Sequence, residues 1–224
     1  MSRIDALFAS FSVLSLLKKR RKMQENASPE EVVEVAMSSL AIRPQQITTE
    51  FLELATLVGA QQCKYLLEIG TYMGGTLFVY SQLAAADATV ISVDYPTTLV
   101  GRLYRAYQKP LFRRLVRKGQ SLFLLRRDSH KPETLTAIRE ILGVCKLDFL
   151  FIDGDHSYDG VRSDFEMYSP LVRAGGLIAF HDIALTDGSE KVHRFWDEIK
   201  GNYVHKEFIH RTGAGAMGIG VLRT

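Results

Sequence analysis

From residue 65 onward the chain alternates short, largely apolar runs with stretches of helical period, and this alternation constrains the fold more than any other feature. The apolar runs are Tyr65–Ile69, Val90–Val93, Leu122–Leu125, Phe149–Ile152 and Leu177–Phe180. Helical stretches lie between them at about 76–86, 132–142, 158–172 and 189–200. Strands that are apolar on both faces and joined by helices belong to a mostly parallel sheet covered on both sides. Two further β-like runs, Tyr203–Ile209 and Gly218–Leu222, follow with no helix between them. They predict a terminal antiparallel hairpin, completing a seven-stranded sheet in an α/β domain.

The first 60 residues read as a helical N-terminal extension, and 61–224 as the main domain. Ala6–Leu17 is apolar but too short to span a bilayer, and Lys18–Lys22 is a run of five cations that follows it, unlike the order in a signal peptide. As a helix it places Ile4, Leu7, Phe8, Phe11, Leu14 and Leu17 on one stripe, expected to pack on the domain, on a second copy of the chain, or on a membrane surface. Ser28, with Pro29 and Glu31 behind it, forms a capping box that starts another helix. A third is expected over Thr49–Val58, ending at Gly59. With 46% hydrophobic residues and a net charge of +3, the chain is not disordered, and two cysteines, Cys63 and Cys145, exclude a disulfide scaffold. Reduced thiols fit a cytoplasmic protein.

The run Leu66–Thr76 (LLEIGTYMGGT) is a strand feeding a glycine turn and then a helix. In such sheets ligands bind at the carboxyl ends of the strands, near the switch in strand order. Gly70 lets the chain turn sharply, while Gly74 and Gly75 let backbone approach a ligand or a neighbouring element. The spacing is G-x-x-x-G-G, not the dinucleotide G-x-G-x-x-G. Glu68 before the turn suits a cationic or amino-bearing ligand, and Asp94 closes the next strand where a ribose diol would lie.

This block resembles motif I of the class I S-adenosylmethionine-dependent methyltransferases, with Asp94 similar to the motif II acid. The resemblance implies a Rossmann-like sheet. It implies that Glu68 and Gly70 support the methionine end of S-adenosylmethionine and that Asp94 holds its ribose. Tyr72, Gly74 and Thr76 would line the same site, and Asp128 and Ser129 in RRDSHKPETL resemble the adenine-contacting turn.

The segment 147–182 ends two apolar strands in acidic or imidazole groups: Asp153, Asp155 and His156 after one, His181 and Asp182 after the other. If the strands are neighbours, these groups converge at one sheet edge, and several carboxylates there repel unless a cation sits among them. The stretch looks like the methyltransferase subfamily of cephalosporin-hydroxylase-like, macrolide and rhamnosyl O-methyltransferases, and is similar in spacing to catechol O-methyltransferase. The resemblance covers about residues 64–223. It implies that Asp153, His181 and Asp182 bind a divalent metal, that Asp153 serves both cofactor site and catalysis, and that His156 is the general base. His181 stands where relatives usually carry an acid. Magnesium prefers oxygen, whereas imidazole suits manganese, iron or zinc. His181 therefore reads as a ligand to a softer metal, as a neighbour of the ligands, or as a sign that no metal binds; Asp155 is a substitute ligand.

The expected activity is O-methylation of a small-molecule or saccharide hydroxyl. Two alternatives stand beside it: methylation of RNA, and a cofactor-binding module without catalysis. The RNA reading rests on residues 101–131, which hold ten Lys or Arg against one Asp, interleaved with apolar and aromatic residues. Such a segment reads as a solvated helix face, as a contact for anionic lipid, or, less favoured, as a nucleic-acid surface.

Overall fold

A computed structural model describes residues 3–23, 26–95, 109–185, 191–211 and 216–224. Its elements run α1 (Arg3–Lys22), α2 (Pro29–Met37), α3 (Thr48–Gln61), β1 (Tyr65–Ile69), α4 (Gly75–Leu83), β2 (Thr89–Val93). After α5 (residues 109–115) come β3 (Ser121–Leu125), α6 (Pro132–Leu142), β4 (Leu147–Ile152), α7 (Tyr158–Tyr168) and β5 (Val172–His181). The chain closes with α8 (Val192–Ile199), β6 (Val204–Phe208) and β7 (Ile219–Arg223).

The sheet has seven strands in the order β3-β2-β1-β4-β5-β7-β6. The first five are parallel, while β7 runs antiparallel between β5 and β6. The order turns back between β1 and β4, opening a crevice at their carboxyl ends. Register decides what lies there: Ile69 pairs with both Val93 and Ile152, and Ile152 with Phe180. The next residue of each strand, Gly70, Asp94, Asp153 and His181, therefore falls along one edge.

Alternation within the strands feeds two cores. Leu66, Phe149, Phe151, Leu177 and Ala179 face α2, α3 and α4, whose Val33, Phe51, Leu54 and Phe78 share that core. Leu67, Ile69, Leu150, Ile152, Ile178 and Phe180 face α6, α7 and α8, whose Ile138, Val161 and Trp196 close the other side. The expected capping box is present: Ser28 Oγ accepts from Glu31 N while Glu31 accepts from Ser28 N. Asp148 ties the strand starts together, accepting from Lys64 N at 2.7 Å, Tyr65 N at 2.9 Å and Arg173 Nε at 2.6 Å.

Burial pushes the Asp148 carboxyl up, but the Arg173 guanidinium and the two backbone amides outweigh it, so its pKa lies below the usual range. A carboxylate with a lowered folded pKa adds stability that is present above its ordinary value and lost as pH falls through the folded one. Asp148→Asn should lower the melting temperature at pH 7 by about 2–6 °C. It should also flatten the loss of stability below about pH 4, read by thermal melts across pH.

Several expectations shift on the structure. The α3 helix does not stop at Gly59 but runs to Gln61, because Gln62 takes the left-handed conformation (φ 47°) and donates to Gly59 O. The α7 helix ends at Tyr168, where Pro170 turns the chain through a short 3-10 turn, and β5 starts early, at Val172. Leu14 does not join a buried stripe, being 65% exposed; among the described α1 side chains Leu16 is buried in the core, and Leu17 of the stripe packs partly buried against it. The side chains of Ile4, Leu7, Phe8 and Phe11 lie outside the described residues, as do 101–108 and 186–190. The strand β3 is a half-exposed edge, with Phe123 in solvent. Nor is the basic segment a uniform solvated face. Arg117 turns in to the carbonyls of Gln82 and Ala84, and Arg126 is largely buried beside Ser92.

Candidate active site

The crevice between β1 and β4 opens into a cleft of about 670 Å³. Its floor is the glycine turn. Gly70 sits at φ 92° with its N–H on Val93 O, and a Cβ there would lie 1.9 Å from Asp153 O. Asp153 N in turn donates to Ile69 O at 2.9 Å. The two strand ends touch through backbone, and only glycine leaves room for that. Gly74 caps α4 at φ 84° against the Phe112 ring of α5, where a Cβ would lie 2.3 Å from the ring. Between them Tyr72 adopts a left-handed φ of 45°, which leaves its ring half-exposed at the cleft, with Gln45 Nε2 donating to its hydroxyl at 3.5 Å.

Tyr72, Gly74, Thr76, Asp94, Asp128, Ser129 and Asp153 all line this one cleft. Glu68 does not. The β1 alternation turns it into the α4-side core, where both carboxylate oxygens are buried. Burial pushes its pKa up to about 8, with hydrogen bonding to Thr76 and the charge of Arg126 working the other way.

Opposite the glycine turn, β4 and β5 bring the acidic cluster together. His181 Nδ1 lies 3.2 Å from Asp153 Oδ1 and 3.0 Å from Asp182 Oδ1. His156 bridges the same acids, with Nε2 3.3 Å from Asp153 Oδ1 and Nδ1 2.9 Å from Asp182 Oδ2. Burial opposes charge on His181, yet the two carboxylates raise its pKa to about 10; hydrogen bonds to Asp153 and Asp182 raise that of His156 to about 11. Burial pushes both carboxyls up, but the imidazoles hold them below the usual range.

Donor atoms of Asp153, His181 and Asp182 fall within 4.8 Å of one another. Bonds of about 2.1 Å at right angles set neighbouring donors about 3 Å apart, so the His181 contacts match the edges of a coordination shell. The donor set of one imidazole and two carboxylates suits manganese, iron or zinc better than magnesium. Asp155, the substitute ligand, instead accepts from Ser157 N at 2.9 Å at the start of α7.

At the far end of the cleft Asp128 accepts from His130 N at 2.9 Å, and its carbonyl accepts from Thr134 Oγ1 at 2.7 Å, so it shapes a turn as well as a wall. His130 reaches the buried Asp164 at 3.4 Å, which raises the imidazole pKa. Neither His130 nor Asp164 stands out in the sequence.

The N-terminal region supplies wall residues that the sequence also conceals. The α2–α3 loop lays Pro44, Gln45 and Gln46 along the cleft, and Gln46 Nε2 donates to Asp153 Oδ2 at 3.1 Å. From α3, the buried Glu50 accepts from His210 N at 2.8 Å and Gly218 N at 3.0 Å. Gly218 and Met217 then accept from Ile183 N and Ala184 N, directly after Asp182. One carboxylate thus anchors the strand ends that carry Met217 and the acidic cluster. Lone glutamates and glutamines of this kind give no sequence signal.

A family model described as a methyltransferase domain matches residues 67–183, from the glycine turn through both acidic strand ends. The chain belongs to that family. The uncharacterized protein y4gI of Sinorhizobium fredii (strain NBRC 101917 / NGR234) is 25% identical over 162 residues, which are 72% of this chain but 18% of that protein. Among solved structures, the methyltransferase fold recurs in an O-methyltransferase from Bacillus cereus in complex with SAH, at 18% identity and a TM-score of 0.59, covering 88% of this chain and 90% of the other. TomG of Streptomyces achromogenes, an O-methyltransferase in complex with SAM, matches at 16% identity and a TM-score of 0.59 over all of both chains. What these structures share with this methyltransferase domain is the fold.

Proposed function

We propose that this methyltransferase is an S-adenosylmethionine-dependent O-methyltransferase of a small-molecule or saccharide hydroxyl, assisted by a divalent cation. One observation carries the reading: the glycine turn with Asp94 and the cluster of Asp153, His181 and Asp182 line a single cleft. The SAM in the TomG complex and the SAH in the Bacillus cereus complex support the cofactor.

In this reading Asp94 takes the ribose hydroxyls, Asp128 and Ser129 the base, and the glycine turn the methionine end. Methyl transfer from a sulfonium is an in-line displacement, so most of the work is holding the acceptor oxygen on the axis opposite sulfur. Asp153, His181 and Asp182 would hold the cation, which lowers the pKa of a hydroxyl and orients paired oxygens. His156 stands at the cleft wall, pinned by two carboxylates that favour its protonated form. Neutralising either carboxylate returns the imidazole toward its ordinary range, where it accepts a proton from a hydroxyl.

His156→Ala should retain S-adenosylmethionine binding by calorimetry. Its conversion of S-adenosylmethionine to S-adenosylhomocysteine with a panel of catechols and sugars should fall by about 100-fold or more. Native turnover in this variant would remove His156 from the mechanism.

A further inference from the structure

Two basic segments far apart in sequence meet on the surface. Arg20 Nε of α1 donates to Leu115 O at the end of α5, at 3.4 Å. Beneath that contact Leu16, Phe112 and Leu115 share the buried core. Within three residues of it on either chain segment, Lys18, Lys19, Arg21, Lys22, Arg113, Arg114 and Lys118 are exposed. Neither 13–22 nor 109–118 contains an acid. One turn before Lys18, Leu14 stands 65% exposed on the same helix.

We propose that this joined basic face is a docking surface for anionic lipid bilayers. Clustered Lys and Arg near a membrane are each attracted by anionic headgroups, and their contributions accumulate. An exposed leucine on a basic helix adds the apolar contact that a headgroup layer accepts and a solvated face does not need. Single-stranded nucleic acid is the weaker match, since it binds by stacking on exposed aromatics. The aromatic among the described side chains of these stretches, Phe112, is buried. Phe112 also carries the face to the cleft: its ring packs under Gly74, which lines the cleft.

The test is co-sedimentation of the full chain with phosphatidylcholine vesicles, with and without phosphatidylglycerol, at low and high salt. The expected result is binding only with phosphatidylglycerol, weakened at least tenfold by high salt. Reversing three exposed charges (Arg21→Glu, Arg113→Glu, Arg114→Glu) should weaken it about 100-fold without moving the melting temperature. Leu14→Ser should weaken it several-fold and leave the salt dependence intact. Equal binding to neutral vesicles, no binding, or native binding by the triple variant would each overturn the proposal. So would tight, salt-sensitive binding of RNA with none to vesicles.

Discussion

Gly70→Ala is expected to cost this domain about 4 kcal/mol or more, lowering its melting temperature by roughly 10 °C. Two penalties coincide at the site. The backbone is at φ 92°, a conformation that residues with a Cβ avoid, and the added Cβ would lie 1.9 Å from Asp153 O. The obstacle is backbone, so no side chain can swing aside. Relief requires β1 and β4 to part at the point where Asp153 N bonds Ile69 O, which displaces Asp153 from its partners. Loss of stability and loss of the acidic cluster should therefore appear together. Gly201→Ala is the control, since a Cβ there meets nothing within 4 Å. A Gly70→Ala protein that melts with the native one would show that the two strand ends do not touch as described.

The second large effect is expected from Asp182→Asn. Asp182 sits at φ 63°, a conformation that asparagine also tolerates, so the change removes charge with little change of shape. Asp182 Oδ2 lies 2.9 Å from His156 Nδ1 and Oδ1 lies 3.0 Å from His181 Nδ1. The substitution takes a carboxylate from both imidazoles and one anionic donor from the proposed cation site. Manganese affinity measured by calorimetry should fall about 100-fold, and S-adenosylmethionine turnover with it. S-adenosylhomocysteine binding without metal should change less than threefold, because the cofactor is assigned to the glycine turn, Asp94 and Asp128, and the substitution alters none of them. Native manganese affinity in the variant would place any metal site elsewhere.

What the sequence discloses and what it hides follow from how each residue does its work. The strands β1, β2, β4 and β5 are legible because both faces are buried, which leaves largely apolar runs. Gly70, Asp94, Asp153, His181 and Asp182 are legible because each stands directly after such a run, and parallel register brings strand ends to one edge. Gly74 is legible as a turn glycine, but its packing partner Phe112 belongs to a separate basic segment whose amphipathic pattern does not say what its apolar side covers. Glu68 illustrates a limit of position within a motif. It stands beside the turn in sequence, yet strand alternation sends its side chain to the core side. Gln46 and Glu50 mark the other limit: they reach Asp153 and the β7 end from more than 100 residues away. No local spacing announces a contact at that range. Of the α1 stripe, Leu17 packs partly buried against the core while Leu14 is exposed, because tertiary contacts, here those of Leu16, decide which face of the helix is covered.

The central claim is that one cleft holds S-adenosylmethionine beside a divalent-cation site. Calorimetric titration of the full chain with S-adenosylmethionine, in the presence and absence of manganese, tests it most directly. The account predicts S-adenosylmethionine binding in both conditions and separate, saturable manganese binding that Asp182→Asn weakens. Manganese-independent cofactor binding with no metal uptake would contradict the cation site alone; no S-adenosylmethionine binding in either condition would contradict the account itself.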